Sequence, residues 1–195
     1  VGMRFDAHAF IPQALQAGAA ATLFARTAGV LPPREGSKGW IEVEDTLAAL
    51  QQLAAWYRSR FDIPVVGVTG SVGKTSTKEM VADALSPVFS VLRTKGNFNN
   101  EIGMPMTLLT LEPSHRAAVI EMGTSSPGEI PLLSSLARPT HAVVTNIGIS
   151  HIEFFGSREA IRAEKLGITL GFPQDGGKLF LNGDDPLLAA MRDKT

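Results

Sequence analysis

The chain contains no cysteine. That excludes a disulfide framework, a thiolate metal site and a cysteine nucleophile at one stroke, and it agrees with a cytoplasmic protein. It has no excess of one charge, with 18 basic against 19 acidic side chains, and no Lys/Arg cluster, so no nucleic-acid surface is expected. No apolar run is long enough to span a bilayer, and the first residues lack the basic-then-apolar pattern of a signal peptide, so no membrane insertion is expected. What is present is 195 residues, 44% apolar and 19% charged. That is the composition of a folded protein with one substantial α/β core and something smaller attached.

Val1-Gly2-Met3-Arg4 does not resemble a natural start, and Met191 to Thr195 stops in mid-pattern. The sequence is therefore expected to be a piece of a longer chain.

From Val65 onward, short β-branched runs alternate with helical patterns, the signature of parallel βαβ units. Strands are expected at 65–69, 88–92, 117–121, 142–145 and 178–181. The helix over Thr75 to Ser86 is expected to bury Met80, Val81, Ala84 and Leu85. Further helices are expected over 102–111, over 128–136 with Ser126 and Pro127 near its start, and over 158–170. Thr69-Gly70, Glu121 and Thr145-Asn146 fall at strand ends, the edge at which open parallel sheets bind ligands.

Residues 1–62 form a smaller α/β piece, with a helix over 10–17 stopped by Gly18 and strands at 20–24 and 40–43 around the loop Gly29 to Gly39. Asp45 is placed to cap a helix with Leu47, Leu50, Leu53 and Ala54 on one face. The junction to residues 63–195 is expected near Asp62-Ile63-Pro64. The fold class is thus α/β, a mostly parallel, doubly wound sheet preceded by a small partial α/β domain.

Gly70-Ser71-Val72-Gly73-Lys74-Thr75 lies between an expected strand and an expected helix, the context of a phosphate-binding loop. Glycines let backbone N–H groups turn towards phosphate oxygens, and the helix N-terminus adds a favourable dipole. Lys74 is placed to bridge terminal phosphates and the Thr75 hydroxyl to hold Mg²⁺. The loop departs from the G-x-x-x-x-G-K-[ST] form, since Val68 stands five before Gly73. The bland reading is a helix cap with a chance Gly-Lys-Thr.

Thr69 to Ser76 resembles the ATP loop of the Mur ligases and folylpolyglutamate synthetases. Thr94 to Gly103 (T-K-G-N-F-N-N-E-I-G), Glu121-Met122-Gly123, Asn146 to His151 and Ala163-Glu164-Lys165 are similar, in the same order, to motifs of the Mur branch that adds D-alanyl-D-alanine to UDP-N-acetylmuramoyl-tripeptide. Arg4-Phe5-Asp6-Ala7-His8 with Phe10 is similar to part of that branch's N-terminal domain, and Asn182 to Pro186 to a turn that caps a helix. The resemblance implies ATP-driven amide formation through an acyl phosphate, with those two compounds as substrates. Lys74 would then contact the ATP phosphates within the loop Gly70, Ser71, Val72, Gly73, Lys74, Thr75 and Ser76, with Asn99, Asn100 and Asn146 nearby. Thr75 and Glu121 would serve one Mg²⁺ and His151 a second. Lys165 would be the lysine that is carbamylated in several members and helps hold that second ion. The start of the uridine-binding domain, the end of the ATPase domain and the C-terminal domain would lie outside this segment, which alone would bind nucleotide weakly and catalyse nothing.

Each residue taken alone has a plainer reading. Glu121 is either a hard oxygen ligand suited to Mg²⁺ or a solvated strand-end carboxylate. His151 is either a ligand or a surface histidine. Asn97, Asn99 and Asn100 either line an acyl-phosphate site or satisfy turns. Lys165 has Ile161, Arg162, Ile168 and Thr169 one turn away and so no acidic partner at helical spacing. A diamino-acid-adding ligase and a regulatory P-loop ATPase are the competing functions.

Overall fold

A computed structural model describes residues 6–26 and 38–191. Arg4, Phe5, residues 29–37 of the Pro/Gly-rich loop and residues 192–195 lie outside the described part. The chain divides into two compact units, Val1–Leu50 and Gln51–Thr195.

In the first unit a 3₁₀ turn at Ala7–Phe10 runs into α1 (Ile11–Gln16), with Pro12 in the first turn, where its missing N–H does no harm. Strands β1 (Ala21–Ala25) and β2 (Gly39–Val43) pair in parallel. His8 is buried, and its Nε2 accepts from the Ala25 N–H at 2.9 Å. The ring proton therefore sits on Nδ1, facing Asp6. Asp6 and His8, part of the resemblance above, thus act as a local brace between the 3₁₀ turn and β1.

Helix α2 (Thr46–Arg58) starts as expected from Asp45, whose carboxylate accepts from Leu47 and Ala48 N–H. Leu53 of the expected apolar face is 47% exposed. The division between units falls within α2, upstream of the junction placed near Asp62 to Pro64. The second half of α2 belongs to the main core, where Ala54 is fully buried and Tyr57, Phe61 and Ile63 pack around it.

The second unit begins with β3 (Val65–Thr69), α3 (Lys74–Leu85), β4 (Val91–Arg93), α4 (Gly103–Leu108) and β5 (Ala117–Glu121). It continues through α5 (Glu129–Ala137), β6 (His141–Val144), α6 (Ile152–Phe155), α7 (Arg158–Leu166), β7 (Lys178–Leu181) and α8 (Pro186–Ala189). The strands form one sheet in the order β4-β5-β3-β6-β7, and every neighbouring pair is parallel. Buried on both faces, β5 carries no alternation, only Ala-Ala-Val-Ile-Glu with every residue buried. Register places Val68 beside Glu121 and Thr69 beside Val144, so the polar strand ends share one edge.

Three local expectations are corrected. Met80 of α3 is 72% exposed, and the buried positions are Lys78 and Ala82. Val88 and Phe89 are exposed and precede the strand, which is shorter than expected. Ser126 and Pro127 do not cap α5. Its N-terminus is held by a carboxylate 34 residues downstream, Glu164, which accepts from Gly128 and Ile130 N–H at 2.8 Å each. The Asn182–Pro186 turn does cap a helix, with Asp185 accepting from Leu187 and Leu188.

At the opposite edge of the sheet Arg58 is buried. Its guanidinium donates to the carbonyl oxygens of Ala137 (2.9 Å), Phe61 (2.6 Å), Ile63 (3.4 Å) and Arg138 (3.5 Å). One side chain thereby ties the end of α2 to the end of α5 and the approach to β3.

Candidate active site

The loop between β3 and α3 owes its shape to the neighbouring strand. Gly70 has φ +149° and Gly73, the residue before α3, φ +80°, values that favour glycine. Beyond β6, Asn146 accepts through its side-chain oxygen from the N–H groups of Ser71 (3.0 Å) and Val72 (2.9 Å), and the Thr145 hydroxyl donates to Val72 O (2.6 Å). Ser71 returns the contact, its hydroxyl accepting from Gly148 N–H at 2.8 Å. The first half of the loop is thus engaged with residues 145–148. The N–H groups at the start of α3 have no helical carbonyl to satisfy them, and no side chain caps them. Lys74 folds back on the loop, donating to Gly70 O at 3.0 Å.

Residues 145–148 are held in turn by Asp185, which accepts from Ile147 N–H at 2.8 Å. Burial pushes the Asp185 carboxyl up. The backbone donors from Ile147, Leu187 and Leu188, with Arg158 nearby, outweigh that and hold it below the usual carboxylate range.

Glu121 ends β5 and is 2% exposed. Its Oε1 accepts from Asn99 Nδ2 at 2.7 Å, and its N–H donates to the Thr94 hydroxyl at 3.0 Å. Its Oε2 is buried with no hydrogen-bond partner and lies 4.0 Å from Lys78 Nζ. An ionised oxygen left without a donor in the interior is costly, and the chemistry that suits it is a hard cation. Glu121 therefore fits a Mg²⁺ ligand. Among the described residues no three His, Asp or Glu side chains converge, so the other ligands of such an ion would be Thr75, phosphate oxygens and water, the mixture Mg²⁺ favours.

Lys74, Asn99, Asn100, Gly123 and His151 line one cavity of about 330 Å³. Asn100 has a second task, accepting from Gly103 N–H at 2.8 Å at the start of α4. His151 is exposed and left-handed, φ +60°, which turns the chain into α6. Lys165 is 4% exposed on α7 and does not line the cavity. Its pKa is lowered to about 8, by burial first and then by the Lys74 charge, with Glu164 opposing. Glu164 is committed to the start of α5, as described above.

Of the residues expected from the sequence, Lys74, Asn99, Asn100 and His151 line one cavity; Glu121 is buried outside that lining and bonds to Asn99, and Asn146 braces the loop. Thr75 and Ser76 sit exposed in the first turn of α3. Thr94 stands in the expected motif but without an assigned task, and Lys78 in none. A lysine among helix residues signals a solvated face, and nothing in the sequence indicates its burial.

The Mur ligase middle domain family model matches residues 68–195. The chain is 49% identical over 187 residues to UDP-N-acetylmuramoyl-tripeptide--D-alanyl-D-alanine ligase of Bacillus subtilis, covering 96% of this chain and 40% of that protein. It is 45% identical to the Escherichia coli ligase of the same name, covering 90% and 37%. Among solved structures, MurF from Acinetobacter baumannii superposes with a TM-score of 0.87 at 36% identity, over 99% of this chain and 41% of that one. MurF ligase from Thermotoga maritima in complex with ADP superposes with a TM-score of 0.84 at 37% identity, over 97% and 43%. The chain spans about 40% of the length of the curated relatives it matches. The likeness in sequence and structure runs along nearly the whole chain and takes in the loop, the strand-end carboxylate and the parallel sheet, and the chain belongs to the Mur ligase family.

Proposed function

We propose that this chain is the nucleotide-handling part of a ligase that joins D-alanyl-D-alanine to UDP-N-acetylmuramoyl-tripeptide at the expense of ATP, in the cytoplasm, to build the peptidoglycan precursor. The observation that carries this reading is the placement of the Gly70–Ser76 loop at the end of β3, beside the end of β5 where a buried Glu121 has an unpartnered oxygen, with Lys74 in the wall of the neighbouring cavity.

In the proposed reaction the tripeptide carboxylate attacks the terminal phosphorus of ATP and ADP leaves. The dipeptide amine then attacks the acyl phosphate and expels phosphate. The free N–H groups at the start of α3 bind phosphate oxygens, and Lys74 leaves the Gly70 carbonyl to follow the charge that moves to the leaving group. Mg²⁺, held by Glu121 and Thr75, would neutralise phosphate charge and polarise the transferred group. Asn99 fixes the Glu121 carboxylate and, with Asn100, lines the cavity in which the acyl phosphate would form. Asn146 shapes the loop from behind. His151, at the cavity wall, is the proposed ligand of a second Mg²⁺.

Lys165 is the proposed carbamylation site. CO₂ reacts with a neutral amine, and a pKa of about 8 gives a far larger neutral fraction near pH 7.5 than an ordinary lysine has. Each carbamate formed from the neutral amine and CO₂ releases a proton, so at fixed dissolved CO₂ the carbamate followed by ¹³C NMR is expected to rise with pH, more steeply below about 8 than above it, until the site is filled, and to vanish in Lys165→Arg. The sign for stability agrees. The folded-state value lies below the ordinary 10.5, so between these values the unfolded chain holds the extra proton and stability rises with pH. A signal that persists in Lys165→Arg would assign the carbamate elsewhere.

The reaction is tested with the full-length protein by phosphate release from Mg-ATP and UDP-N-acetylmuramoyl-tripeptide, with and without D-alanyl-D-alanine. Release that requires the dipeptide supports the ligase. Release indifferent to both peptides would leave only a P-loop ATPase.

A further inference from the structure

Lys78 carries an amino group into the interior and has no part in the reaction proposed above. Its side chain is completely buried on α3, one turn beyond Lys74. A buried cation is expensive unless paired, and an apolar side chain of similar length would fill the same space without that penalty. The ammonium donates to Thr94 O at 2.8 Å and meets Glu79 Oε1 at 2.8 Å. Glu79 is 44% exposed and shared with Arg93; Lys78 first and Arg93 second hold its carboxyl below the ordinary range, but this partner sits at the solvent side of the ammonium. Glu121 is the buried carboxylate, and its unpartnered Oε2 faces Lys78 at 4.0 Å.

That distance is informative. It is too long for a hydrogen bond, so Lys78 attracts the oxygen without occupying its lone pairs. The same ammonium grips the carbonyl of Thr94, whose hydroxyl accepts from the Glu121 N–H. Thr94 also opens the loop that delivers Asn99 to the other carboxylate oxygen. Lys78 therefore acts on Glu121 by two routes, through charge on Oε2 and through Thr94 on its backbone.

We infer that Lys78 is a positioning residue that holds the Glu121 carboxylate with one oxygen open to a divalent cation and locks the Thr94–Asn100 loop to the phosphate-loop helix. The inference rests on the reading of Glu121 as a metal ligand.

The test uses the full-length protein as wild type, Lys78→Met, Lys78→Arg, Glu121→Gln and the double variant Lys78→Met/Glu121→Gln. Mn²⁺ binding in the presence of ADP is read by electron paramagnetic resonance, and the thermal midpoint by calorimetry. Lys78→Met is expected to weaken Mn²⁺ binding roughly 10–100-fold, the usual effect of removing a group that orients a metal ligand, and Lys78→Arg to recover part of it. The double variant is expected to melt higher than the two single losses added together, because Lys78→Met alone leaves the buried Glu121 carboxylate without its cation, whereas the double variant removes that carboxylate as well. Wild-type Mn²⁺ affinity in a folded Lys78→Met, or strictly additive midpoints, would overturn the inference and leave Lys78 a structural lysine. If Lys78→Met does not fold, the double variant decides: its folding supports the coupling and its failure to fold overturns it. Glu121→Gln with unchanged Mn²⁺ affinity would instead remove the metal reading alone, and the midpoints would still decide whether Lys78 acts on Glu121.

Discussion

Gly70→Ala is expected to lower kcat/KM for ATP in the full-length enzyme by on the order of 10²-fold or more, the scale of a small misplacement of groups around a reacting centre. Two effects act together. The residue has φ +149°, where a Cβ is strained. That Cβ would also collide with the Thr145 hydroxyl oxygen and lie 3.0 Å from Thr145 Cβ and 3.2 Å from Asn146 N. The hydroxyl cannot swing aside freely, because it donates to Val72 O. The loop must therefore leave residues 145–146, and Ser71 and Val72 lose the Asn146 oxygen that holds them. Steady-state kinetics at saturating peptide substrates measure the loss, with circular dichroism to show that the fold persists. Adding Thr145→Ala removes the closest clash but not the strain, so activity should return in part. Full activity in Gly70→Ala would mean that the loop keeps its function without the support of residues 145–146.

Lys74→Met is the second large effect. Loss of the one lysine in the cavity wall is expected to reduce kcat by roughly 10²–10³-fold, as for other donors aimed at developing charge, with a smaller change in KM for the peptides. A second readout is independent of turnover. The Lys74 charge helps to lower the Lys165 pKa, after burial. Its removal should move that pKa back up and reduce carbamate at a given pH and CO₂. If turnover falls and the carbamate titration stays in place, Lys74 acts on phosphate alone and the two lysines are uncoupled.

How much of this was legible in the sequence depends on the range of the interactions. Strands buried on both faces announce themselves as apolar runs, and Val65–Thr69 and Ala117–Glu121 fall where those runs do. Asp45 and Asp185 cap helices within three residues of themselves, so they too were readable. Pairings across tens of residues were not. Glu164 serves the start of α5 from another helix, and Ser126 and Pro127 merely stood in the expected place. The α3 face was misjudged because hydrophobic patterning treats lysine as solvent-facing, whereas Lys78 is buried and Met80 is not. In the site, residue types suited to phosphate and Mg²⁺ were evident from Lys74, Thr75 and Glu121. That Asn146 reaches the loop backbone follows only from β6 lying beside β3.

Arg58 differs in kind from Arg93, another charged brace of this unit. Arg93 is clamped by Glu79 and Asp83, and those bonds dissolve in acid as the carboxylates take up protons. The four acceptors of Arg58 are peptide oxygens, which have no proton to gain in that range, and a guanidinium does not give one up near neutrality. The fastening between the end of α2 and the end of α5 is therefore blind to acidity, and acid should loosen the Arg93 side of the unit while the Arg58 side stays closed.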